Sequence, residues 1–301
     1  MRKRFSSDHV FGLVLASVSM LIISPDALLI RLIEADQWTF LFWRGLLPSL
    51  AMTAMLAARH GRRTSALFRA IGRPGLAIAF LFGISTILFI SSILLTSVAN
   101  ALVIIAVQPL LSAIFSRWFL GEPIRPSTWM ATVVVLAGVA IIFSGSLGGG
   151  NIWGDVLAFL GSCCMAGQMV IIRYSRAVNM VPAVVLSGPL VALAALPFAT
   201  PFAVSGNDVG LLLMLGLIIL PVPFFLSALA PRYAPAAEIS LITLLESVTG
   251  PFIVWLVIDE APVIETLVGG AVILATLAVY FTISLRAGSD EVERTTIIPH
   301  P

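Results

Sequence analysis

The sequence predicts an all-α integral membrane protein, with ten transmembrane helices in an inverted 5+5 repeat around a central cavity. Three observations carry this expectation. Of the 301 residues 59% are hydrophobic and only 11% charged, where a soluble domain carries about 25% charged residues. Apolar stretches of the roughly 20 residues needed to cross a bilayer follow one another almost end to end. Finally, polar and charged landmarks recur at matching depths in the two halves of the chain.

The spans fall at 11–32, 38–58, 75–95, 98–118, 129–146, 153–173, 181–199, 210–229, 236–257 and 264–285. Arg2-Lys3-Arg4 ahead of an apolar run has the form of a secretory leader. The run lacks a small-x-small cleavage site and recurs internally, so it reads as a retained first helix. FGLVLA at 11–16 is echoed by WGDVLA at 153–158, and Ile30-Arg31 by Ile172-Arg173, an offset of 142. An offset of 138 places 99–145 on 237–283, with Glu122 on Glu260, LAGVA (136–140) on LATLA (274–278) and Gln108 on Glu246. The chain thus divides into an N-terminal tail (1–10), a first five-helix repeat (11–146), an outer linker (147–152), a second repeat (153–285) and a C-terminal tail (286–301).

Charge gives the orientation. Lys and Arg concentrate in cytoplasmic loops. With the N-terminus inside, 15 of the 17 basic residues lie in or beside cytoplasmic segments, leaving Arg31 and Arg44 towards the outside. One helix more or fewer would destroy that bias, so both termini are expected in the cytoplasm of a cell membrane. The tryptophans lie near span ends, where an amphipathic indole is favoured. An odd number of helices per half makes the second half cross in the opposite sense, which is the inverted kind of repeat. The glycines of GSLGGGN (145–151) join the halves; no strand precedes them and no GK[ST] follows, as a phosphate loop would require.

Ionisable groups inside a span cost about 2.5–3.5 kcal/mol on insertion scales and usually face a cavity or a partner. Four positions are candidates for substrate contacts: Asp26 and its repeat counterpart Gln168, and Gln108 with its counterpart Glu246. They either line a wet cavity or bond across helices as structural glue. Thr243, Glu246, Thr249 and Gly250 share one helical stripe, and Ser112 follows Gln108 by one turn. Asn100 and Glu238 form a further pair near the ends of the fourth and ninth spans, with structural or gating roles. Arg44 stays charged and needs a carboxylate or an anionic substrate group; Asp26, at similar depth, is the natural partner. Pro221 and Pro223 interrupt the eighth span where the third carries Gly83 and Ser85, and interrupted segments at matching places point to a binding region. A buried carboxylate tends to hold a proton, which makes Glu246 the candidate for coupling to protons.

Catalysis has little to rest on. His9, His60 and His300 are placed in loops or tails, no HExxH or GxSG motif lies in a span, and no metal or other cofactor is implied. Cys163 and Cys164, adjacent within one span, read as small packing residues. A net charge of +2 gives no reason to expect nucleic acid.

Several stretches together carry a family likeness: FWRGLLPSL (42–50), SVANALVIIAVQPLLSAIFSRWFLGEP (97–123), WGDVLAFLGSCCMAGQMVIIR (153–173) and RYAPAAEISLITLLESVTGPFIVWLVIDE (232–260). They resemble the EamA-type members of the drug/metabolite transporter superfamily over about residues 10–285. The family's Gly-Glu pair at the close of the fourth and ninth helices is Gly121-Glu122 in the first copy and Asp259-Glu260 in the second. Its Glu-Pro in the ninth helix is Glu246-Ser247. The resemblance implies a secondary active carrier of small metabolites such as amino acids, more often an exporter, working by alternating access. The alternative from another class is a polytopic scaffold or sensor with no transport cycle. The partners so expected are a small-molecule substrate and the lipid bilayer, with the oligomeric state left open.

Overall fold

The computed structural model describes residues 2–95, 104–105, 107–122, 126–144, 152–246, 249, 253, 256–257, 264, 267–276 and 278–280, and among these there is no strand. The helices are α1 (Arg2–Ile23), α2 (Asp26–Leu32), α3 (Gln37–His60), α4 (Thr64–Ala70), α5 (Gly72–Leu95), α6 (Gln108–Phe115), α7 (Pro126–Ser144), α8 (Ile152–Tyr174), α9 (Val181–Ala195), α10 (Gly206–Met214), α11 (Pro221–Leu229) and α12 (Ala236–Thr243). A last apolar helix, α13, covers Leu267–Tyr280. Among the described residues, five helical stretches are long and apolar enough to cross a membrane: Asp8–Ile30, Gln37–Ala70, Gly72–Ser92, Ile152–Tyr174 and Gly206–Arg232. Pro126–Gly138, Val181–Ala195 and Leu267–Tyr280 are shorter and apolar. With α6 and α12 these make ten helices, one in each stretch read as a span.

Local chemistry sets the helix ends. Asp36 caps α3 by accepting from the amides of Trp38 and Thr39 at 3.0 and 3.1 Å, two of the donors an N-terminus leaves free. Burial opposes its charged form, but the bonds from Thr39, Trp38 and Thr200 outweigh that and hold the carboxyl below its ordinary value. Gly121, with φ of 65°, closes the five-residue π-turn Ser116–Leu120 after α6; the missing Cβ makes this left-handed conformation cheap. In the eighth span α10 runs into a π-turn, Leu215–Ile219, and α11 restarts at Pro221. Proline lacks the amide that would continue the ladder, so the interruption falls where Pro221 and Pro223 were read to place it.

Packing crosses between the halves. α5 lies on α8, α9 on α3 and α5, α1 on α11 and α12, α6 on α8 and α12, and the turn 215–219 with α11 on α3. In a bilayer, association depends on close contact between small residues rather than on water exclusion. The α3–α9 crossing shows it: a Cβ on Gly45 would stand 2.6 Å from the Gly188 carbonyl oxygen. Ser49 donates to the Val185 carbonyl at 2.9 Å one turn along. One cluster of buried side chains joins Leu13, Met20, Leu41, Leu47, Met169, Leu215 and Ile239. A second joins Met52, Leu56, Ile78, Ile172, Met180 and Val184.

One boundary differs from the sequence reading. Helix α1 already runs at Arg2, so His9 is helical instead of lying in a tail. The Ser6-Ser7-Asp8 run looks like a helix start, and the chain passes through it in helix. His60 likewise ends α3, and His300 lies outside the described residues.

Candidate functional site

The interruption between α1 and α2 positions the most polar part of the interior. Pro25 has no amide to donate, and Ser24 beside it turns its hydroxyl to Thr249 at 2.6 Å while remaining close to the Met20 carbonyl at 2.8 Å. Asp26, the first residue of α2, is 4% exposed. Arg44 on α3 reaches it with both terminal nitrogens, Nη1 to Oδ1 at 2.5 Å and Nη2 to Oδ2 at 2.6 Å. This fork-on-fork geometry is the strongest neutralisation a carboxylate can receive from one side chain. The guanidinium carbon also stands 5.6 Å from the centre of the Phe40 ring.

Glu246 completes the cluster. It follows α12 by three residues and lies within electrostatic reach of both Asp26 and Arg44. Thr249, one turn further on the same stripe, is the residue that meets Ser24. The stripe read from the sequence therefore faces the α1–α2 break. Two carboxylates and one guanidinium share this partly buried region, and the guanidinium is taken by Asp26.

Gln108 and Gln168 occupy the neighbouring helices. Gln108 opens α6 and is 6% exposed, with Pro109 accommodated in the first turn. One turn on, Ser112 and Ser240 of α12 share a hydrogen bond of 2.7 Å. Gln168, within α8, is 6% exposed and its Oε1 has no hydrogen-bond partner. Among the described residues no hydrogen bond joins either glutamine to the ion pair. A buried acceptor left unmet costs about 1–3 kcal/mol, which marks Gln168 as a side chain suited to meeting something else. Beside Arg44 a narrow groove opens among α3, α5, α9 and α11, with Ser49, Phe82, Thr86, Ser187 and Phe224 in its walls.

At the opposite end of α1 a second polar set ties the helices together. Glu238, in the first turn of α12, is 3% exposed and meets His9 Nε2 at 2.6 Å. Arg173, at the end of α8, donates Nε to Glu122 at 2.8 Å and Nη1 towards the Arg232 carbonyl at 3.3 Å. Arg232 in turn donates to the Arg176 carbonyl at 2.8 Å. Sequence reasoning used Arg173 and Glu122 as repeat, topology and family markers without pairing them, and missed the His9 bond altogether. The signal for the latter was a histidine just ahead of the apolar run, within one continuous helix. Asn100 lies outside the described residues. Pro221 and Pro223 sit buried at the start of α11, and Ser19 of α1 donates to the Pro223 carbonyl at 2.9 Å.

Comparison with known proteins agrees with this architecture. Residues 10–144 match the EamA-like transporter family. A solved structure described only as a crystal structure of a protein superposes with a TM-score of 0.77 at 19% identity, covering 93% of this chain and 99% of its own. At that identity the likeness speaks for the fold. No curated protein sequence matches the chain.

Proposed function

We propose that this chain, whose residues 10–144 belong to the EamA-like transporter family within the drug/metabolite transporter superfamily, is a secondary active carrier that exports small metabolites, such as amino acids or related solutes, by alternating access. Its setting would be a cell membrane, with both termini cytoplasmic. The observation that carries the reading is the set of Asp26, which is buried, and Arg44 and Glu246, which are partly buried, assembled from three spans at a helix interruption. Charged groups in a bilayer interior are expensive, and a purely structural bundle gains nothing from a second carboxylate beyond the one Arg44 neutralises. Discontinuous helices at a midplane site are the architecture alternating-access carriers use.

Packing supports a two-fold repeat of the kind such a cycle needs. Under the repeat, α8 takes the place of α1, and α11 the place of the middle of α5. Accordingly, α1 on α11 is matched by α8 on α5. Individual residues follow: Ser19 meets the Pro223 carbonyl, and a Cβ on Gly161 would lie 3.7 Å from the Ser85 carbonyl oxygen. These two contacts exchange under the same offsets of 142 and 138 that the sequence shows. Glu246 would carry the coupling proton, and Gln108 and Gln168 would supply neutral contacts to the solute.

The test is ligand-induced thermal stabilisation of the purified protein across a metabolite panel. The reading expects at least one solute whose stabilisation is lost in Glu246→Gln and weakened in Gln108→Leu. A panel in which every stabilising solute acts equally on wild type and both variants would remove these residues from the site.

A further inference from the structure

Between α3 and α5 the chain makes a short elbow whose charge nothing among the described residues answers. A 3-10 turn, Gly61–Arg63, leads into α4, and the elbow is bounded by Gly61 and Gly72 at φ of 54° and 55°. Leu67 and Phe68 pack inward against the second core cluster, and Ile71 is 3% exposed. The outward side carries Arg59, Arg62, Arg63, Arg69 and Arg73, all exposed. From Gln37 to Gly121 the sequence contains no Asp or Glu, and among the described residues none of the five guanidiniums has a hydrogen bond or ion pair. Two basic residues elsewhere at helix ends are treated differently: Arg173 is met by Glu122, and Arg232 by the Arg176 carbonyl.

We infer that this elbow is a docking surface for acidic phospholipid headgroups. It joins two membrane-spanning helices, so its five guanidiniums stand at the level of the lipid phosphates. The inward anchoring by Leu67, Phe68 and Ile71 fixes the arginines on the lipid and solvent side. Guanidinium groups pair with phosphate oxygens through two parallel bonds, and clustered basic residues beside a transmembrane helix are attracted to anionic leaflets. A topological role needs only net positive charge in the loop. Five unanswered arginines on a helical elbow fixed to the bundle form a surface that gains by holding phosphates. Because α3 and α5 also wall the groove beside Arg44, lipid held here braces the groove from outside.

The experiment measures the unfolding midpoint of the purified full chain in mixed micelles titrated with phosphatidylglycerol or phosphatidylcholine. Phosphatidylglycerol is expected to raise the midpoint and phosphatidylcholine to leave it unchanged. In R62Q/R63Q/R69Q the apparent affinity for phosphatidylglycerol should fall by about five-fold per arginine removed, while R117Q, which alters an exposed arginine elsewhere, should respond as wild type. For wild type alone, salt near 1 M should abolish the response, since the screening length there is about 3 Å. Equal shifts from both lipids, a triple variant within two-fold of wild type, a salt-independent response, or the same shift from inorganic phosphate alone would each overturn the inference. The readout is binding, so it stands or falls independently of whether the protein transports.

Discussion

The first and sixth spans occupy corresponding places under the proposed repeat, and they have been elaborated in opposite ways. The first is interrupted: α1 stops at Ile23, Ser24 and Pro25 form a turn, and α2 begins at Asp26. The sixth, α8, runs from Ile152 to Tyr174 without a break, with Gly167 at the position of Pro25. Asp26 is an acid held by Arg44 at 2.5 and 2.6 Å; Gln168 is an amide with an unmet Oε1. Superposing α3 on α9 at Gly45 and Gly188 puts Ser187 in the place of Arg44. Its hydroxyl donates to the Val184 carbonyl at 2.6 Å, within its own helix. One half thus bears an ion pair and the other an amide and a hydroxyl. Under the proposed repeat, corresponding positions of the two halves differ in polarity, as a carrier that binds its solute in one orientation would require.

The largest effect expected from disturbing this difference is on the charged side. Asp26→Asn leaves Arg44, with its side chain 8% exposed, without its carboxylate, at a cost of about 3–5 kcal/mol. A large fall in the unfolding midpoint in detergent should report it. The double variant Asp26→Asn/Arg44→Gln should recover much of the loss, because the guanidinium that lost its partner is gone as well. A double variant as unstable as the single would mean that the pair does more than neutralise charge. Next comes the α3–α9 crossing. Gly188→Val places branched carbons where Gly45 and Ser49 already stand, and overpacking of this kind costs about 1–3 kcal/mol. Thermal unfolding checks it, with Gly210→Val, at a site with open space around it, as the control. The smallest effect is on the neutral side. Gln168→Leu removes an unmet buried acceptor, so stability should change by less than about 1 kcal/mol or rise slightly. If Gln168 contacts solute, ligand affinity should nevertheless drop, and a variant that loses stability but keeps affinity would assign Gln168 to packing alone.

Hydropathy was enough to place the ten helices, because it reports the solvent around each segment and a bilayer imposes a fixed length. Depth was enough to pair Asp26 with Arg44, since a permanently charged side chain inside a span has few places to go. The stripe of Glu246 and Thr249 was visible as helical spacing, and the structure turns it towards Ser24. Lateral neighbours were not legible. Nothing in the composition of the second and seventh spans distinguishes Gly45 and Gly188 as a contact from the 23 glycines of the chain. Ser19 with Ser227, and Arg173 with Glu122, depend on which helices adjoin, and an apolar pattern does not encode that. His9 escaped notice for another reason: the first helix continues beyond its apolar stretch, so its polar end was taken for a tail.

The most direct measurement is solute counterflow in liposomes containing the wild-type protein, using a solute from the panel that stabilises it. A carrier working by alternating access should draw labelled solute transiently above its equilibrium level when unlabelled solute is preloaded, and Glu246→Gln should lose the pH dependence of that exchange. A protein that binds the solute tightly yet shows no counterflow at any pH would instead be a membrane receptor or scaffold.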